Sequence, residues 1–124
     1  MFKKPVILLI TLLSLFSTVF SAQAQLLDPV KWSFSAKKTG DQSAELVLSA
    51  TIEKKWHLYS QFLPEGGPIP TSFKFDKAPF YSLKGNVEEK SKPEEAFDKN
   101  FDMTLKYFEN KAVFVQKIEV KSYE

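Results

Sequence analysis

Ser43-Ala44-Glu45-Leu46-Val47-Leu48-Ser49-Ala50-Thr51-Ile52-Glu53 is the stretch that decides the fold. Ala44, Leu46, Leu48, Ala50 and Ile52 alternate in it with Glu45, Ser49, Thr51 and Glu53. A period of two sends successive side chains to opposite faces of an extended chain, so the segment reads as a strand with one buried and one wet face. Half-wet strands belong to antiparallel sheets. Upstream, Trp32, Phe34 and Ala36 alternate with Lys31, Ser33 and Ser35 and run into a turn at Thr39-Gly40-Asp41-Gln42. Downstream, Lys54-Lys55 turns the chain into Trp56-His57-Leu58-Tyr59-Ser60. There Trp56, Leu58 and Ser60 share one face, and His57 and Tyr59 the other.

Farther out the same pattern recurs, and no helical stripe appears. Residues 64–70, Pro-Glu-Gly-Gly-Pro-Ile-Pro, form a long shaped loop, because prolines remove donors and glycines permit unusual backbone angles. Strand signals return at 71–75 and 81–87 with Ala78-Pro79 between them, and the charged run 88–95 reads as a solvated connection. Met103, Leu105 and Tyr107 then alternate up to a turn at Glu109-Asn110-Lys111. Beyond it Ala112, Phe114, Gln116, Ile118 and Val120 alternate, which predicts a hairpin. About seven short strands at such spacing predict an all-β chain, an immunoglobulin-like antiparallel β-sandwich rather than a closed barrel. The last strand ends close to Glu124, so the sandwich is expected to be cut short, missing its last strands.

The N-terminus carries an export signal. Lys3 and Lys4 precede an apolar run from Val6 to Phe20, and Ser21-Ala22-Gln23-Ala24 offers small residues on either side of one variable position. A membrane span needs roughly 20 apolar residues, more than this run supplies, so residues 1–24 read as a signal peptide cleaved after Ala24. Residues 25–124 then form one periplasmic domain, with no membrane insertion after cleavage. The absence of Cys excludes a lipid-anchored lipoprotein.

Composition narrows function further. The net charge of +2 equals the contribution of Lys3 and Lys4, so the exported part is formally neutral and presents no basic field for nucleic acid. Every basic residue is Lys, and the planar fork that grips phosphate or carboxylate is absent. With no Cys and a single His, thiol catalysis, thiolate metal sites and multi-histidine zinc sites are excluded for these residues. No cofactor and no metal are expected. His57 is the sole imidazole, read as a half-exposed strand residue before a general base. Gly66-Gly67 precedes Pro68, which has no amide to donate, so the pair forms a turn rather than a phosphate cradle. Asp98 and Asp102 flank Phe101 on an exposed segment and read as solvated, not as an acid/base pair.

Asp28-Pro29-Val30-Lys31-Trp32, Trp56-His57-Leu58-Tyr59-Ser60-Gln61, the 64–71 loop, Phe101, and Tyr107-Phe108-Glu109-Asn110-Lys111 occur in that order. Together with the signal peptide they resemble the N-terminal domain of the protein-disulfide reductase DsbD family, in its small stand-alone, Bacteroidetes-type form, over most of residues 25–121. The resemblance implies an immunoglobulin-like periplasmic domain that relays electrons from a membrane-embedded thiol reductase to periplasmic thioredoxin-like proteins. In the family a Cys pair does this, shielded by a cap loop with an aromatic residue; Phe101, with Asp102 beside it, matches that loop. The family's cysteines sit in a segment that would follow Glu124, and this chain has neither. It is therefore expected to be either a fragment, the favoured reading, or a variant without redox chemistry. The alternative function is a non-catalytic periplasmic binding module for a protein partner or carbohydrate, using Trp56, His57, Tyr59 and Phe62.

Overall fold

The computed structural model describes residues 26–121, so the expected signal peptide at 1–24 lies outside the described residues. Seven strands form: β1 Val30–Gly40, β2 Ser43–Ile52, β3 Leu58–Tyr59, β4 Tyr81–Glu89, β5 Glu94–Asp98, β6 Met103–Phe108 and β7 Lys111–Val120. They make two antiparallel sheets, one ordered β1-β2-β7-β4 and one ordered β3-β6-β5. The chain is all-β, and the two sheets pack as a sandwich. Among the described residues no helix is long and apolar enough to cross a membrane.

The alternation on β2 sets the inner face of the larger sheet. Register aligns Trp32, Ala50 and Ala112 in one row and Phe34, Leu48, Phe114 and Glu89 in the next. Two alanines opposite each other leave room for the indole, which lies against Phe73 and Phe114 at ring-centre distances of 5.7 and 5.9 Å. Phe114 is fully buried and also meets Phe108 of β6 edge-on at 5.5 Å, which ties the smaller sheet to the larger one. Leu48, Ala50, Ile52, Phe108, Ala112 and Phe114 form the centre of the core.

A bulge shapes β4. Residues 85–87 face the single Gln116 of β7, and Gly85 takes a left-handed φ of 70°, which favours glycine. The carbonyls freed there are collected by Gln116, 1% exposed, whose Nε2 donates to the oxygens of Lys84, Gly85 and Lys117. One polar residue in an apolar row thus stabilises an irregular edge.

Two expectations are corrected. Residues 71–75 form no strand: Pro70 precedes them and the bulge breaks the nearest edge, so Phe73 and Phe75 are held by side-chain packing on the core. The charged run 88–95 is not all connection. Glu88 and Glu89 complete β4, and Glu94 and Glu95 open β5. Only the segment between them links the two, and it is fastened to β7 by the Lys90 amide on the Val113 carbonyl and the Val113 amide on Ser91 Oγ.

The smaller sheet covers one end of the inner face. At the other end Phe34 is 71% exposed, and Leu83 and Phe80 are exposed as well.

Candidate functional site

Trp56, His57, Tyr59 and Phe62 do not converge on one site. Period-2 geometry separates Leu58 and Ser60 from His57 and Tyr59 as read from the sequence, but Trp56, expected on the face of Leu58 and Ser60, is 42% exposed because it precedes the strand on a turn. Leu58 and Ser60 point into the sandwich, the first against the core and the second fully buried, while His57 and Tyr59 turn to the outer face of the smaller sheet.

On that outer face His57 and Tyr59 meet Phe97 and Asp98 of β5 and Leu105 and Tyr107 of β6 around a cleft of about 120 Å³. Register makes this inevitable, because Tyr59 pairs with Tyr107 and Ala96 with Leu105. The imidazole stacks on the Tyr107 ring at 4.3 Å and 21°, and its Nε2 lies 3.0 Å from Glu109 Oε1. Stacking and the carboxylate together fix the ring plane. The floor is Leu105, buried because the 64–70 loop crosses it. Gly67 permits that approach, since a Cβ there would lie 2.8 Å from Met103 Sδ.

Phe101 stands at the tip of the β5–β6 hairpin, next to the cleft's Asp98. Asp98 Oδ1 accepts from the amides of Asn100 and Phe101 at 2.8 and 3.2 Å, a side-chain turn that holds the tip in shape. Asp102 follows with a φ of 53°, and Phe101 remains 38% exposed. Asp98 therefore serves a turn, and Asp102 sits with Phe101 on the tip. Trp56 lies outside the cleft, on the turn where its amide reaches the Glu53 carbonyl.

Phe62 belongs to a second depression. It lines a groove of about 460 Å³ between the 61–75 segment and the bulged β4. Its wall is anchored by Glu89, whose carboxylate accepts from Ser60 Oγ at 2.7 and 3.0 Å and from the Gln61 amide at 2.8 Å. Gln61 Nε2 also donates to the Val87 carbonyl, and the Phe62 amide to Ser60 Oγ. Sequence reasoning missed Glu89, hidden in a charge run, and Gln116, whose signal was its place as the one polar residue in an apolar alternation.

Shifted ionisations lie away from both sites. The hydrogen bond from Lys90, and then the charge of Lys117, holds Glu88 below the usual carboxylate range, and Glu88 raises Lys90 in return. Lys84 holds Glu119 low in the same way. Among the described residues no group of three or more His, Asp or Glu could hold a metal ion. No protein-family model, curated protein or solved structure matches this chain.

Proposed function

We propose that the domain is the scaffold of a periplasmic thiol–disulfide interchange module of the DsbD N-terminal type. It would relay electrons from a membrane-embedded thiol reductase to periplasmic thioredoxin-like proteins, with its cysteine pair outside these 124 residues. The observation that carries the reading is the juxtaposition of an aromatic hairpin tip, Phe101, with an aromatic cleft containing His57, Tyr59 and Asp98. An aromatic tip beside a partly enclosed cleft is suited to shielding a reactive group from solvent.

Strand order lends support. The larger sheet, β1-β2-β7-β4, follows the A-B-E-D order of an immunoglobulin sheet, with β3 in the place of strand C. The neighbours that strands F and G would provide are absent among the described residues. β3 is an edge, and the apolar surface at Phe34, Leu83 and Phe80 is uncovered. A hairpin seated there would bring cysteines to the cleft. One thiolate would attack a partner disulfide, expelling a partner thiolate and forming a mixed disulfide. The second thiolate would resolve it, so that two electrons pass to the partner.

Intact mass of the native protein from periplasm, before and after reduction and thiol alkylation, tests this. Two alkylatable thiols on a polypeptide that contains this sequence, trapped as mixed disulfides with thioredoxin-like proteins, are expected. A mass equal to residues 25–124 with no alkylation ends the reading. The alternative, a non-catalytic binding module, is favoured by one observation, the chemistry of the groove at Phe62.

A further inference from the structure

The groove behind Phe62 is uncharged. Lys, Asp and Glu make up 26% of the chain, yet no side chain lining this groove is ionisable. A recognition surface for phosphate, carboxylate or ammonium needs a counter-charge, so those ligands find none here. What the groove offers instead is rings and amides. Phe62, 63% exposed, and Phe73 supply apolar faces, and Gln61, Thr71, Asn86 and Gln116 supply neutral donors and acceptors.

The groove is also built in advance. Gln116 is almost wholly buried at its floor, and its Nε2 donates to three backbone carbonyls, which fixes the floor in shape. Gln61 is fixed at its amide by Glu89 and at its Nε2 by Val87, bonds that leave its Oε1 unengaged. A floor and a wall carboxamide held by the fold cost little to organise when a ligand arrives. The volume of about 460 Å³ lies within the roughly 300–1,000 Å³ of small-ligand sites.

We infer that this groove binds a neutral carbohydrate, a sugar of one or two rings without carboxylate or phosphate. The C–H face of a pyranose packs on the Phe62 ring, and its hydroxyls meet the carboxamides of Gln61 and Asn86 above the buried Gln116 floor. Hydroxyls both donate and accept, which matches a wall of amides better than an apolar peptide side chain does. The site is independent of the thiol reading and lies on different residues from the His57–Tyr107 cleft.

The test uses native mature protein and a probe panel of maltose, cellobiose and N,N′-diacetylchitobiose, with cellobiouronic acid as the charged comparison. Saturation-transfer NMR detects binding, and amide shift mapping locates it. At least one neutral disaccharide is expected to bind more tightly than the charged one and to shift Gln61, Asn86 and Gln116. Phe62→Ala should weaken it by about tenfold, Asn86→Ala by several-fold, and Trp56→Ala should change nothing. Phe62 and Asn86 are exposed, so both variants are expected to keep the parent unfolding midpoint; if Asn86→Ala does not, Phe62→Ala alone decides. Absence of binding by all three neutral sugars at 10 mM, a footprint confined to the His57 cleft, or a Phe62→Ala variant equal to the parent each overturns the inference. None of these results bears on the number of alkylatable thiols, so the two readings fail separately.

Discussion

Ser60 and Glu89 fasten the smaller sheet and the 61–75 segment to the bulged strand β4, and their loss is the most decisive test of the packing. Ser60 is fully buried, and its hydroxyl donates to a carboxylate at 2.7 Å. Ser60→Ala removes a hydrogen bond to a charged acceptor, takes the acceptor from the Phe62 amide and leaves almost no cavity, a loss of about 2–4 kcal/mol. Glu89→Ala removes that bond and the one from the Gln61 amide, leaving two donors without their acceptor, about 3 kcal/mol. The double variant loses the shared bond only once. It should therefore be more stable than the sum of the singles by roughly 1.5 kcal/mol. Urea unfolding of the four proteins gives these values from the midpoints at constant slope. For a domain of this size each kcal/mol also lowers Tm by about 4–8 °C. Additivity within about 0.3 kcal/mol would refute a direct Ser60–Glu89 interaction.

Three other expectations follow from the same geometry. Gln116→Leu keeps the volume of the floor but strips the Lys84, Gly85 and Lys117 carbonyls of their donor, so urea unfolding should show a loss of about 1–3 kcal/mol and amide exchange should quicken first around the bulge. Glu88 and Glu119 titrate low in the folded chain, so what they contribute is present above the ordinary carboxylate range and is lost as pH falls through their lowered values; Glu88→Gln with Glu119→Gln should flatten the acid limb of a Tm-against-pH curve at low salt, and an unchanged limb contradicts the pairing. Phe34→Ser, on the uncovered end of the larger sheet, should cut the binding of an apolar-surface dye and slow aggregation while costing about 0.5–1.5 kcal/mol, the worth of its stacking on Trp32 at a ring-centre distance of 6.4 Å, whereas a larger loss would mean that the ring is buried.

Much of this fold is legible in the sequence where one face is buried and the other wet. The strands over 43–52, 103–108 and 111–120 announce themselves by alternation, as does β1 over 31–36, although it runs on to Gly40 where the sequence reads as a turn; the turn at Asn110 takes the left-handed φ of 64° that Asn tolerates. β5 escapes because Glu94, Glu95, Ala96 and Phe97 are all exposed, so neither face carries a hydrophobic signature. Residues 71–75 mislead for the opposite reason. Phe73 and Phe75 repeat at strand spacing, but they anchor a loop to the core, and ring packing leaves the same imprint as a ladder. Of the cleft, His57 and Tyr59 could be read as sharing a face, whereas Tyr107, Phe97 and Asp98 required the β6 and β5 registers.

Residues 57–62 are the hinge between chemistry and packing. His57 and Tyr59 line the cleft, Leu58 and Ser60 enter the sandwich, and Gln61 and Phe62 line the groove. A strand with period two can serve an outer cleft and an inner core at once, but it can only turn to a third surface if its backbone leaves the ladder. The Ser60–Glu89 contact is where it does so. The Ser60 amide makes a last bond to the Lys106 carbonyl of β6, and the next amide, Gln61, goes to Glu89 on the other sheet. The strand β3 is accordingly short, because its continuation is taken up by a side chain rather than by a neighbouring strand. Loosening that contact therefore acts on both surfaces together: it frees the groove wall at Phe62 and lengthens the edge that β3 offers beside the His57 cleft.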